Sequence, residues 1–371
     1  MKIIAAMIGA MLLYEFQRIL YNRFWNRNLT VDLSLSDDKA VEGDQLSLIE
    51  TVTNQKLLPI PVLKIKYMAS RFLIFLDTRQ TEVTDHTYRN DLFTVMMYQK
   101  LTRTIPFLCT KRGYYTIDKI YLVCNDILLE SELVSDSDAK IQLYVYPRPI
   151  EYSRLQIPFQ KMFGTVLTRR LLYEDPFEFK SIREYQSYDT MRTINWKASA
   201  KTGTLMVNVH DHTASQQIKI LLNIESDTLR KHEELLEESI RLATAFAAYF
   251  IEQGIPTALY TNAPDVISRE VLNAPAGSGH SHIRTINETL ARIDDTQTPP
   301  SFVSVLGEEM ELMKPNDYIL LISSYQRADL QRELLRLTQE KIDFSWIVPV
   351  DKEVQLTVEG DLLNYIIPWE I

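Results

Sequence analysis

The stretch Gln217-Ile-Lys-Ile-Leu-Leu-Asn-Ile-Glu-Ser-Asp227 decides the fold. Its run Ile218, Ile220, Leu221, Leu222 and Ile224 reads as a strand buried on both faces, the kind that a parallel sheet uses. Toward the carboxyl end, Leu236, Ile240, Ala243, Ala247 and Phe250 recur at spacings of three and four, one face of a helix, with Gly254 where a C-cap is wanted. A strand is expected at Thr257 to Thr261, and a helical stripe follows at Ile283, Ile286, Leu290 and Ile293. Another strand is expected at Tyr318 to Ser323, a third helix at Leu330, Leu334 and Leu337, and a fourth strand at Phe344 to Val350. Strand alternating with helix in this way predicts a doubly wound α/β sheet with right-handed crossovers over residues 213–371.

Toward the amino end the pattern changes. From Leu29 to about Pro149 apolar and polar residues alternate with period two, beginning at Val31, Leu33 and Leu35. Further strands are expected at Gln45 to Val52, Val62 to Tyr67, Leu92 to Tyr98, Leu101 to Phe107, Tyr114 to Val123 and Ile141 to Tyr146. Turn signals stand at Glu42-Gly43-Asp44, Pro59-Ile-Pro61 and Lys111-Arg-Gly113. Seven short strands with little helical periodicity predict an all-β, sandwich-like domain over 28–150. Between the two domains lies a signature and linking segment, 151–212.

The first residues form a segment of their own, 1–21. Ile3 to Tyr14 is uncharged and mostly apolar, and Arg18, Arg23 and Arg27 follow it. We read it as an uncleaved membrane anchor, with the basic flank placing the main domains in the cytoplasm. Tyr21 and Trp25 would suit the interfacial belt of such an anchor. A signal peptide and a buried amphipathic helix are the competing readings.

Composition narrows the function. Against 40 Lys plus Arg stand 49 Asp plus Glu, a net charge of -9, which disfavours a nucleic-acid partner. Only 10 glycines occur, with no phosphate-loop string, so the common nucleotide enzymes are disfavoured. Cys109 and Cys124 have no metal-ligand spacing. His210-Asp-His212 and His280-Ser-His282 would each put two imidazoles on one side of a strand, a partial zinc site, but loop histidines are usually just solvated. No Gly-x-Ser-x-Gly elbow is present. The pairs Glu237-Glu238 and Asp294-Asp295 read as helix-surface or helix-end charges.

In an open parallel sheet the ligand site lies beyond the carboxyl ends of the strands, so the loops after Ile224, Thr261 and Ser323 matter most. Asn223, Glu225 and Asp227 could converge on a hard cation such as Mg²⁺. They are also what any strand-to-helix loop shows, with Asp227 a candidate helix cap.

The densest string runs from Ser181 to Lys201. Arg183, Arg192, Lys197 and Lys201 stand against Glu184 and Asp189, with Tyr185 and Trp196 interleaved. Such a set makes either a clamp between domains or a partner-binding surface, since Trp, Tyr and Arg dominate interface energetics.

Arg183-x-Tyr185, Asp189, Arg192, Ile194, Trp196-Lys-Ala-Ser199-Ala-Lys201 and Leu205 closely resemble the signature of the domain-of-unknown-function 58 family, R-x-Y-x-x-G-D-x-x-R-x-I-x-W-x-x-S-A-R. The Lys111-Arg-Gly-Tyr-Tyr115 turn and Tyr146-Pro-Arg148 are similar to the family's as well. The resemblance implies membrane segments, a β-rich region and a von Willebrand factor A-like α/β domain in a bacterial or archaeal protein. It also implies action with a MoxR-type AAA+ ATPase in assembling or activating another complex.

Three departures matter. Tyr188 stands at the signature's Gly, Lys201 at its last Arg, and one apolar run replaces two membrane helices. A working A-domain metal site has Asp-x-Ser-x-Ser after its first strand and an Asp after a later one. Here those positions are Asn223-x-Glu225-x-Asp227 and Ser323 or Ser324, so the resemblance implies a degenerate site that binds partners without a cation.

The expectation is therefore a membrane-anchored adaptor rather than an enzyme. It needs no cofactor, and contacts a partner through Asn223, Glu225 and Asp227, while Arg183, Tyr185, Asp189, Arg192 and Trp196 serve as structural clamps or as the ATPase-facing surface. A hydrolase at the junction of the signature and the α/β sheet, with Asp189 or Glu184 as general base, is the alternative. An outward-facing adhesion protein, with acceptor sites at Asn28 and Asn287, is the third reading.

Overall fold

The computed structural model describes residues 2–77, 81–151, 154–155, 179–185, 194–210, 217–226, 232–313, 317–352, 354–358 and 360–371. The chain divides into two compact units, one formed by Met1–Arg148 with Leu290–Ile293, the other by Pro149–Thr289 with Asp294–Ile371.

The first unit opens with a helix, Lys2–Phe24, whose residues from Ile3 to Leu13 are exposed. It is long and apolar enough to cross a membrane. It also runs past the expected end of the anchor, and its last turns belong to the β-domain. Tyr21 and Trp25, expected in an interfacial belt, are instead buried in the β-core. The reason is geometric: the Tyr21 hydroxyl donates to the Pro59 carbonyl at 2.8 Å, which holds that face of the helix on the strands.

Ten strands follow among the described residues: β1 (Leu29–Leu35), β2 (Lys39–Val41), β3 (Gln45–Asn54), β4 (Ile60–Ser70), β5 (Leu73–Phe75), β6 (Thr81–Val83), β7 (His86–Val95), β8 (Lys100–Cys109), β9 (Gly113–Asn125) and β10 (Glu132–Tyr146). They make a four-stranded sheet, β1-β3-β8-β5, and a six-stranded sheet, β2-β10-β9-β4-β7-β6. Alternation does the sorting: strict in–out burial along β7 sends Phe93 and Val95 inward, into one core with Leu48, Val52 and Phe107 from the other sheet. The sequence places a strand at Leu92 to Tyr98, but β7 ends at Val95. Met96, Met97 and Tyr98 form an exposed turn instead, with Tyr98 at φ 54°. The short β2, β5 and β6 carry too few residues for periodicity to show.

The second unit holds a two-stranded antiparallel ladder, β11 (Phe179–Glu184) with β12 (Met206–His210), and between them a helix, Trp196–Thr202. The remaining strands are β13 (Ile218–Leu222), β14 (Thr257–Pro264), β15 (Val271–Gly277), β16 (Tyr318–Ile322), β17 (Asp343–Val350) and β18 (Ile366–Glu370), in spatial order β15-β14-β13-β16-β17-β18. All neighbours are parallel except β15, which runs antiparallel to β14. The chain leaves β13 through helix Glu233–Glu252 to one side and later returns through β16 on the other. The strand order therefore reverses between β13 and β16, where a doubly wound sheet opens a crevice.

β13 and β16 are buried at every residue, as their unbroken apolar runs require. Gly254 takes φ +74° just after helix Glu233–Glu252 and donates its N–H to Ile251, a left-handed stop that favours glycine. Helix Phe302–Glu311 and the edge strands β15 and β18 are additions to the expected pattern.

Candidate functional site

At the switch point, three residues at or near the strand ends form one hydrogen-bonded knot. Asn223 follows β13, Asn262 sits at the end of β14 and Ser323 follows β16; all three are buried. The Asn223 side-chain N–H donates to Ser323 Oγ at 3.1 Å. Asn223 Oδ1 accepts from the Glu225 backbone N–H at 2.8 Å and from the Asn262 side chain at 3.1 Å. Asn262 Oδ1 takes the Ile224 N–H at 3.0 Å, and its Nδ2 also donates to the Pro300 carbonyl. Glu225 Oε2 accepts the Phe302 N–H at 2.9 Å, satisfying an orphan donor in the first turn of helix Phe302–Glu311. The Ser323 carbonyl receives the Trp346 indole N–H at 3.0 Å.

A small cleft, open to solvent, lies over this knot, lined by Asn223, Ile224, Glu225, Ser226, His232, Asp295 and Ser324 among others. A buried network that is fully satisfied fixes its loops in place.

Of the expected cation ligands, Asn223 and Glu225 are thus brought to one place, and Asp227 lies outside the described residues. Both acceptors already hold N–H donors, which a cation would have to displace. Among the described residues no group of three His, Cys, Asp or Glu side chains could hold a metal. A hard cation takes six or more oxygens as Ca²⁺ or a near-octahedral shell as Mg²⁺, so it would need oxygens beyond the engaged Asn223 Oδ1 and Glu225 Oε2. The His280–His282 pair does not have the expected strand geometry. His280 and His282 open a helix rather than a strand, where positions i and i+2 diverge, and His282 Nε2 is engaged with the Thr257 carbonyl at 2.7 Å. His212 lies outside the described residues.

The signature folds as strand, helix and strand. Asn195 caps helix Trp196–Thr202 through its Oδ1 to the Ala198 N–H at 2.9 Å, and Gly203 ends it at φ 75°. Ser199 Oγ donates to the Asn195 carbonyl and accepts the Met206 N–H, both at 2.8 Å, tying the helix to β12. Ile194 is buried and pairs with Val207; the Tyr185 N–H reaches the Leu205 carbonyl at 2.8 Å. The Arg183 guanidinium donates to the Glu184 carbonyl at 3.1 Å. Trp196, by contrast, is 64% exposed, and Lys197 and Lys201 stand exposed beside it. The signature thus splits: Ile194 and Ser199 hold the motif together, and Trp196, Lys197 and Lys201 face outward. Asp189, Arg192 and Tyr188 lie outside the described residues.

One pair of acids was misread in the sequence. Glu237 and Glu238 are buried, not surface charges. Glu238 Oε1 accepts the Trp369 indole N–H at 2.9 Å and faces Arg154 at 3.7 Å. Its counterpart Trp369 lies on β18, an edge strand that the apolar pattern did not reveal. Asn262 was missed as well: the strand-end rule marked the chain after Thr261, but β14 runs on through Asn262 to Pro264.

Residues 181–360 match the family model described as "Protein of unknown function DUF58". This supports the family that the signature resembles, and the matched span holds both the signature and the strand-end knot. No curated protein matches the chain. Among solved structures, the CARDB domain of the PF1109 protein of Pyrococcus furiosus, in complex with di-metal ions, is 14% identical, covering 31% of this chain and 89% of that one at a TM-score of 0.20. AvmM, which catalyses macrocyclization in alchivemycin A biosynthesis, is 9% identical, covering 34% and 94% at a TM-score of 0.24. With scores so low, neither likeness defines the fold.

Proposed function

We propose that the protein is a membrane-anchored adaptor that binds proteins and is not an enzyme. The observation that carries this reading is Trp196: a tryptophan 64% exposed on a helix pinned by Asn195, Ser199 and Gly203. A rigidly held, exposed Trp beside two exposed lysines is the kind of anchor that fills a pocket on a protein partner. The family resemblance names the partner class, a MoxR-type AAA+ ATPase, with the main domains in the cytoplasm as the basic flank Arg18, Arg23 and Arg27 favours.

The α/β unit fits a von Willebrand factor A-like domain in this reading. The strand order reverses at β13 and β16, and the position of a working metal site is taken by the neutral Asn223–Asn262–Ser323 knot. The cleft over the knot, lined by Glu225, Ser226, His232 and Ser324, then receives a second protein, the complex on which the ATPase acts. The hydrolase alternative rests on Asp189 or Glu184 as general base; Glu184 is exposed on β11, and Asp189 lies outside the described residues.

The test uses the full chain in detergent and the AAA+ ATPase encoded in the same genome. Binding in the presence of ATP and Mg²⁺ should weaken tenfold or more in Trp196→Ala, whose exposed position leaves the fold intact. Equal binding by the variant, or none by the wild type, contradicts the proposal.

A further inference from the structure

The first unit carries exposed apolar residues at one end that its fold does not use. Register places the end: Leu29 pairs with Asn54, Thr53 with Lys100, Ile60 with Val95, and Glu132 with Asn125. The connections β3–β4, β7–β8 and β9–β10 therefore gather where the first helix hands over to β1. At their tips stand Leu57, Met97-Tyr98 and Ile127-Leu128-Leu129, each exposed over half or more of its surface.

The helix is fastened to these same loops. Tyr14 donates to Glu130 at 2.6 Å, Gln17 to Asp126 at 3.0 Å, and Tyr21 to the Pro59 carbonyl. Lys56 Nζ closes the helix end, donating to the carbonyls of Trp25 at 2.6 Å and Arg27 at 2.8 Å. Tyr98 in turn donates its N–H to the Lys56 carbonyl, and Asn54 reaches the Met96 carbonyl. Helix end and loop tips are thus tied together at one end of the domain.

Dimensions then matter. The uncharged run Ile3 to Tyr14 rises only about 18 Å, whereas the hydrocarbon core is roughly 30 Å thick. A helix that crosses must carry its turns beyond Glu15 into the membrane boundary, and those turns lie against the loops. Arg18, Arg23 and Arg27, all exposed, supply cations at that level for anionic headgroups.

We propose that this end of the β-domain is a lipid-contacting collar, with Leu57, Met97-Tyr98 and Ile127-Leu128-Leu129 dipping into the bilayer interface around the helix. The inference rests on reading the helix as a membrane anchor. Amphipathic surfaces of this kind bury their apolar residues in the headgroup and acyl boundary. The collar would hold the domain at a fixed height and tilt rather than leave it swinging from its anchor.

Single cysteines report the contact. Cys109 and Cys124 are buried, and burial pushes their thiols up to about 11 and about 12, so an introduced surface thiol labels selectively. The full chain carrying Leu57→Cys, Met97→Cys or Leu128→Cys is labelled with an environment-sensitive fluorophore and reconstituted into phosphatidylcholine–phosphatidylglycerol vesicles. Leu12→Cys on the helix and Val83→Cys at the opposite end of the domain serve as references, with unchanged thermal midpoints as the check on folding. The collar predicts blue-shifted emission at all three loop sites, quenched by more than half with brominated lipid, and no change at Val83. A shift at Leu12 with the loop sites silent overturns the collar and leaves the anchor standing. Silence at Leu12 as well overturns both.

Discussion

Each unit buries a polar cluster, and the two clusters are built differently. In the β-domain, Asp91 is wholly buried and bracketed by Arg89, at 2.6 and 3.0 Å, with Tyr67 at 3.3 Å and Arg103 at 3.5 Å. Glu50, equally buried, lies in the same group and its carboxyl oxygens find no well-aligned hydrogen-bond partner. Burial, reinforced by the neighbouring Asp91 carboxylate, pushes its acid up to about 8. In the α/β unit the cluster is Asn223, Asn262 and Ser323, neutral and closed by reciprocal hydrogen bonds. The ionisable cluster is sealed between sheets, and the neutral one lies under an open cleft. The raised carboxyl and the cleft thus lie in different units.

The contrast can be broken most strongly by pH. A carboxyl whose folded pKa is raised binds its proton more tightly in the native state. Glu50 therefore contributes its full stability below about 4.5, and that contribution is lost as pH rises toward about 8. The fall is at most about 5 kcal/mol in the β-domain, read from hydrogen-exchange protection of β3 and β7 between those limits. Glu50→Gln should flatten it, and an equally steep slope in the variant would place the titration elsewhere.

Arg89→Leu comes next. It strips Asp91 of its bidentate partner in the core and should cost about 3–5 kcal/mol in the same measurement. A loss under 1 kcal/mol would mean that Arg103 and Tyr67 suffice.

Asn223→Ala should cost about 1–3 kcal/mol in the α/β unit, because it orphans buried donors on Glu225 and Asn262. Protection of β13 and β16 amides measures it. The expected loss does not vary between pH 5 and 8, which separates the neutral cluster from the titrating one.

The smallest expected effect is none. Adding millimolar Mg²⁺, or chelating it, should leave the thermal midpoint of the α/β unit unchanged, because Asn223 and Glu225 already hold N–H groups. A rise that saturates with Mg²⁺ would show a cation site after all.

The β13, β16 and β17 strands and the helix stripes were legible because full burial leaves a dense apolar record, and Gly254 marked a helix end in one residue. The edge strands β15 and β18 are half-exposed, so their composition is mixed and their periodicity faint. Tyr21 and Trp25 misled for a related reason: an aromatic near the end of an apolar helix suits a lipid interface and a protein core equally, and only tertiary packing chooses. Glu238 shows the same limit, since nothing local announces that Trp369, far along the chain, supplies its donor. The knot was half legible. The strand-end rule pointed to Asn223 and Ser323, but that their amide and hydroxyl groups close on one another through Asn262 is a matter of distance.

The most direct test of the adaptor account is hydrogen exchange on the full chain, alone and with the AAA+ ATPase bound in ATP and Mg²⁺. The account predicts added protection in Trp196–Thr202, with the cleft loops 223–226 and 323–326 left unchanged for the second partner. Protection absent from the signature helix, or confined to the β-domain, would contradict it.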